Sequence, residues 1–162
     1  MKTELINIAT ATNPAKCYAA TAIMTADHKL VSGLIKDYEK ATTTVTKNKL
    51  VTQICTELSV HAQVKKEIFY PVVSLVMKDH ELVPETTVEH ATLKSLITKV
   101  KSVEPDGEMF DAKIKALSEY VQHHVREEQD EMFPKAKATK LDMIDLGDKS
   151  RARKKRLMAQ RT

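Results

Sequence analysis

Apolar residues recur at steps of three and four along most of the chain, the period of a helix that buries one face. Four segments carry such a seam. The first, over about 19–41, places Met24, His28, Val31 and Ile35 on one stripe, with Ile23, Leu30 and Leu34 beside it. The second, over about 47–78, aligns Ile54, Leu58, His61, Lys65, Ile68 and Val72. A third, about 84–103, aligns Val83, Thr87, His90, Leu93 and Ile97; the fourth, about 108–138, reads Phe110, Ile114, Leu117, Val121, His124, Glu128 and Glu131. The breaks fall at Thr42-Thr43-Thr44 with Asn48, at 78–83 and at Glu104-Pro105-Asp106-Gly107. Connections this short turn successive helices antiparallel. The pattern therefore predicts an all-α protein: an N-terminal extension over 1–18, an up-down-up-down four-helix bundle over 19–140, and an additional basic C-terminal helix or tail over 141–162.

The seams repeat. Asp27-His28 followed by Val31, Leu34 and Ile35 matches Glu89-His90 followed by Leu93, Leu96 and Ile97 at an offset of 62. His61 with Phe69-Tyr70-Pro71 matches His124 with Met132-Phe133-Pro134 at an offset of 63. The chain thus reads as a duplicated helical hairpin, each copy supplying one histidine from each of its two helices. Pro71 and Pro134 follow their histidines by the same ten residues, which predicts a matched kink in the two helices.

Four of the six histidines sit on stripes that are otherwise Leu, Ile, Val and Met. A single such histidine is ordinarily a hydrogen-bonded core residue. Four at equivalent depth, with nothing shared between them, would leave many buried nitrogens to satisfy, at about 1–3 kcal/mol for each one left unpaired. A metal ion satisfies them together. Imidazole suits iron, copper and zinc, and a nearby carboxylate with an open position favours non-haem iron. Glu128 offers that carboxylate, since it follows His124 by four residues and so lies one turn along the same face, with Glu127 close by. His123 is turned about 100° away from His124 and reads as a surface or supporting residue. His80, beside Lys78 and Asp79 at a helix end, reads as solvated or capping.

Composition narrows the alternatives. With 3 Gly, 5 Pro and 4% aromatic residues, turn-rich β-sandwiches and low-complexity disorder fit poorly. The longest apolar stretch, Phe69 to Met77, contains Pro71 and Ser74 and is about half a membrane span. The first sixteen residues mix Thr, Asn, Glu and Lys without the apolar run of a secretory signal, so a cytoplasmic location is expected. Cys17 and Cys55 are too few for a disulfide framework or a thiolate zinc site. The net charge of +4 is uneven: Gly147 to Thr162 holds seven Lys/Arg against one Asp, leaving the first 146 residues at −2. On that count the tail lies outside the bundle as a solvated helical face, and removing it should leave the bundle intact. Without aromatic interleaving around Arg151-Ala152-Arg153-Lys154-Lys155-Arg156, nucleic acid is not expected as a partner.

Thr25-Ala26-Asp27-His28, His61-Ala62-Gln63 through Glu67-Ile68-Phe69-Tyr70-Pro71, Val88-Glu89-His90, and His123-His124-Val125 through Glu128 and Met132-Phe133-Pro134-Lys135 together resemble the hemerythrin-like family, specifically bacterial HHE cation-binding domains. The resemblance implies a four-helix bundle holding non-haem iron, usually a diiron centre bridged by carboxylates. Family members bind oxygen, sense oxygen, iron or nitric oxide, or act in oxidative and nitrosative stress. Carried across, it makes His28, His61, His90, His124 and Glu128 the metal ligands, and a small diatomic or peroxide the partner. One position departs from the pattern: four residues after His61, where the family has glutamate, stands Lys65. An ammonium on that seam leaves three outcomes: one well-held iron with a weak second site, a lysine deprotonated by burial beside a cation, or a site that has lost its metal. In the last case the protein would be a metal-free helical interaction module working through its surface or basic tail.

Overall fold

The structure, a computed structural model, describes residues 18–77, 82–102 and 108–161. The N-terminal extension, Cys17, His80 and most of the predicted breaks at 78–83 and 104–107 lie outside these residues. The first helix is Ala20–Lys40. The second runs through Thr44–Val64, a π turn at Lys65–Phe69, and Tyr70–Val76. The third is Leu82–Lys101; the fourth runs through Glu108–Glu127, a π turn at Glu128–Met132, and Phe133–Lys137; the fifth is Met143–Ala159. The first helix packs on the second and fourth, and the third on the fourth and second, which closes the predicted all-helical bundle. Thr43 ends the first break by accepting a hydrogen bond from the Thr46 N–H, the role of an N-cap.

The two π turns occupy equivalent places in the duplicated hairpins and stand where kinks were predicted. In each, the N–H after the turn reaches back five residues, Tyr70 to the Lys65 carbonyl and Phe133 to that of Glu128. Pro71 and Pro134 follow immediately. A proline ring in a straight α-helix meets the carbonyl four residues back, and the wider turn opens that space. Each turn also absorbs one extra residue, so the buried seam is displaced by one. Beyond Lys65 it continues in Phe69, Val73 and Met77, leaving Ile68 half-buried and Val72 exposed; beyond Glu128 it continues in Met132 and Ala136, leaving Glu131 in solvent. The uninterrupted period that put Ile68, Val72 and Glu131 on the seam is corrected by these turns. On the third helix Thr86, not Thr87, faces inward.

The core is consequently divided. One apolar cluster joins Val31, Leu34, Ile35, Ile54, Leu58, Leu93, Ile97, Phe110, Ile114, Leu117 and Val121; the other joins Ala20, Met24, Phe69, Val73, Met132, Phe133, Ala136 and Leu146. Between them lies a polar layer: His28 on the first helix, His61 and Lys65 on the second, His124 and Glu128 on the fourth, all buried.

The basic tail is a helix, but it does not stand apart from the bundle as the charge count suggested. Asp142 caps it by accepting from the N–H groups of Ile144 and Asp145. Leu146 joins the second apolar cluster, and Leu157 packs on Val60 and Val64 of the second helix. Gly147 lies against the first helix so closely that an added Cβ would stand 1.9 Å from the Tyr18 carbonyl oxygen. Gly147→Ala is therefore expected to cost about 2–3 kcal/mol by forcing the helix off that backbone. Thermal unfolding followed by circular dichroism tests it, with Gly33→Ala, which meets nothing within 4 Å, as the control expected to be neutral or stabilising.

Candidate metal centre

Glu128 organises the polar layer by dividing its two oxygens. Oε2 faces His28 Nε2 at 3.4 Å, while Oε1 is in close contact with Lys65 Nζ and His124 Nε2. Lys65 Nζ also lies 2.9 Å from His124 Nε2. One donor atom each from His28, His61 and Glu128 falls within 4.8 Å of the others, near enough for a cation with bonds of about 2 Å to reach all three after small side-chain shifts. His28 and His61 meet edge to face with ring centroids 5.0 Å apart, and Phe133 stacks on the other side of His28.

His124 and His90 lie on the other side of Glu128, their ring centroids 6.4 Å apart. His90 is half-buried, beside Tyr70, and the Lys65 ammonium stands 5.6 Å from the centre of that tyrosine ring. The five sequence-predicted residues are thus gathered in one layer but not around one point. His28, His61 and Glu128 converge; His90 and His124 flank the position that Lys65 occupies.

Electrostatics follow from burial and from this lysine. Burial opposes ionisation of Glu128, but Lys65 and then His124 and His28 outweigh it and hold the carboxyl well below its usual range. His61 and His90 are each pushed down to about 4, first by burial and then by the Lys65 charge. Both are neutral at physiological pH, the state in which imidazole binds metal. For His124, burial and Lys65 disfavour the cation, yet Glu128 and Glu89 prevail and raise its pKa.

Two carboxylates that the sequence reading did not place in the site orient its histidines. Asp27 Oδ2 accepts from His61 Nδ1 at 2.9 Å, and Glu89 Oε2 lies 2.6 Å from His124 Nδ1. Each is the residue before the histidine on the preceding helix. The repeat Asp27-His28 and Glu89-His90 was the available signal, since a carboxylate that recurs beside a metal-type histidine is a natural partner for the next ring. Glu127 lies on the outer side of His124 with Glu89, where the neighbouring Glu89 carboxylate raises its pKa. Tyr120 stacks on His124 and donates its hydroxyl to the Glu89 main-chain carbonyl at 2.9 Å. His123 faces outward, 3.0 Å from Glu127. Cys55 is buried in the apolar core, and burial raises its thiol pKa.

The donor set fits a metal. His28 Nε2, His61 Nε2 and Glu128 Oε2 are buried and make no hydrogen bond among the described residues, a concentration of unmet polar atoms that a shared cation would relieve. The profile of the Hemerythrin HHE cation binding domain matches residues 19–136, nearly three quarters of the sequence. The chain belongs to this family. This HHE domain is also similar in fold to the crystal structure of a hemerythrin HHE cation binding domain-containing protein from Mycobacterium kansasii, with a TM-score of 0.78 and 18% identity over 88% of this chain and 89% of that one. A protein of Nostoc sp. named DNA nickase is 25% identical over 107 residues, which are 66% of this chain and 30% of that protein. The HHE domain thus spans about a third of the length of that curated relative. Among the described residues, no helix is long and apolar enough to cross a membrane.

Proposed function

We propose that this HHE domain is a non-haem iron protein with one strong site at His28, His61 and Glu128, and a weak second site beside His90 and His124. The single observation that carries this reading is the buried Lys65 ammonium seated on Glu128 Oε1, the side of the carboxylate that a second cation would use. When bound, iron supplies redox chemistry and an open coordination position for oxygen, peroxide or nitric oxide. The chain's own residues define what reaches it. His28, Asp27, His61, Tyr120 and His124 line a cavity of about 20 Å³ closed by Val31, Leu58, Leu93, Val121 and Val125. That volume suits a water-sized molecule or a diatomic and excludes larger organic substrates. The apolar wall keeps bulk water from the layer, and Glu128 balances the charge of the cation. The proposal extends to a role in oxidative or nitrosative stress, or in iron handling, in the cytoplasm.

Purification from iron-replete cells, followed by anaerobic reconstitution with ferrous iron, is expected to give close to one iron per chain. A content below about 0.1 after reconstitution would overturn the proposal, because neutral imidazoles and an ionised carboxylate already in place should retain the metal. That outcome would favour a metal-free interaction module, the reading suggested by the ability of Lys65 alone to neutralise Glu128. Cleavage of nucleic acid is not part of the proposal. The relative named for it is a much longer protein, and two residues of the basic run, Arg153 and Lys154, are engaged with Glu67 and Asp27 of the bundle.

A further inference from the structure

The fifth helix reaches the polar layer through the side chain of Lys154. Leu146, Ser150, Lys154 and Leu157 are spaced by four, four and three residues, so Lys154 lies on the stripe that faces the bundle. Leu146, Ser150 and Leu157 are buried, and Lys154 is partly buried between the first and second helices. Its Nζ donates to Asp27 Oδ1 and lies 3.7 Å from Glu57 Oε2. The other oxygen of Asp27 accepts from His61 Nδ1.

With one oxygen of Asp27 taken by Lys154 and the other facing His61 Nδ1, the ring is held with Nδ1 toward Asp27 and Nε2 toward His28 and Glu128. Among the described residues, none is seen in the second hairpin as the counterpart of this lysine on Glu89. Glu89, the partner of His124, is half-exposed and is flanked by the Glu127 carboxylate. Position 64, which corresponds to Glu127 in the repeat, is Val64, and it lies beneath Leu157 of the fifth helix. In one half of the duplicated site the supporting carboxylate meets a cation from the fifth helix, and in the other it meets a second carboxylate and is partly exposed.

We infer that Lys154 is a positioning residue of the metal centre, acting through Asp27 to fix the tautomer and orientation of His61. The role of His61 as a ligand rests on the function proposed above; the control of its tautomer by Lys154 does not. The fifth helix is then a working part of the site, and the basic run conceals one lysine of different purpose from its neighbours.

The test uses the full chain and the variants Lys154→Met, Lys154→Gln and Lys154→Arg. In the metal-free proteins, long-range ¹⁵N–¹H correlation spectra of the histidines report which nitrogen of His61 bears the proton. The unaltered chain and Lys154→Arg are expected to show a fixed Nδ1–H form, whereas Lys154→Met and Lys154→Gln should show the two tautomers in exchange. Ferrous iron affinity, measured separately, should fall about 10-fold in Met and Gln and be restored in Arg, the scale typical of a lost supporting partner. A fixed Nδ1–H form in both Met and Gln overturns the inference, whatever happens to affinity. If the unaltered chain binds no iron, the proposed function fails while the tautomer comparison still decides the role of Lys154. Two uncharged replacements guard against one of them failing to fold.

Discussion

Replacing Lys65 with glutamate is expected to raise bound iron from close to one per chain toward two, and to bring up the visible absorption of a coupled ferric pair. Two cations in one pocket repel each other, and a carboxylate between them reduces that repulsion. Glu128 supplies one such group, but the opposite position holds an ammonium in close contact with it, within reach of His124 and near His90. A second iron must displace that charge or bind beside it. Glutamate would convert a repulsive neighbour into a ligand and leave His90 and His124 free to join it. The two proteins should be loaded identically with ferrous iron under anaerobic conditions and compared by metal analysis, then exposed to dioxygen, which oxidises the iron, and compared by optical spectrum. If the unaltered chain already holds two tightly bound irons, the ammonium must leave the pocket on binding and the single-site reading is wrong. Stability alone would not discriminate, because removing a buried cation also changes the metal-free bundle.

Glu128→Gln is expected to destabilise the metal-free bundle by about 3–5 kcal/mol, the range for removing one partner of a buried ion pair and leaving the other behind. Lys65 is 1% exposed and Glu128 is 2% exposed, so water cannot take over for either. The isosteric amide keeps the packing and removes only the charge. Lys65 would then face His124, His61 and His90 with no ionised carboxylate in direct contact. Adding Lys65→Met to Glu128→Gln should recover most of the loss, because a neutral pair needs no mutual compensation. Urea unfolding of the four proteins, as a double-mutant cycle, measures the coupling. Single variants within about 1 kcal/mol of the unaltered chain would mean that the pair behaves as a solvated one.

The sequence was most legible where a helix could be read from its own period. Four seams, their antiparallel order and the layer of His28, His61, His124 and Glu128 all followed from spacing, because an α-helix repeats its faces locally. Lys65 could be placed on the seam for the same reason, one turn from His61. What escaped was set by contacts across the chain. The register beyond Lys65 and Glu128 depends on a π turn, and nothing in the apolar period announces the residue it absorbs, although the prolines marked the place. Asp27 was visible as half of a repeated pair, yet its partner is a histidine 34 residues away and its cation a lysine 127 residues away. Lys154 was hidden by company: six residues with five cations average to a solvated face, and only alignment with Leu146, Ser150 and Leu157 separates it from the rest.

The matched π turns also set where the two halves of the centre agree and where they differ. Each hairpin carries one residue more than a straight helix with the same buried face would need, and the two extra residues stand in the same register, 63 positions apart. The residue that opens each turn is lysine in one half and glutamate in the other. The backbone is thus repeated faithfully through the site, and its asymmetry is carried by a single pair of side chains of opposite charge.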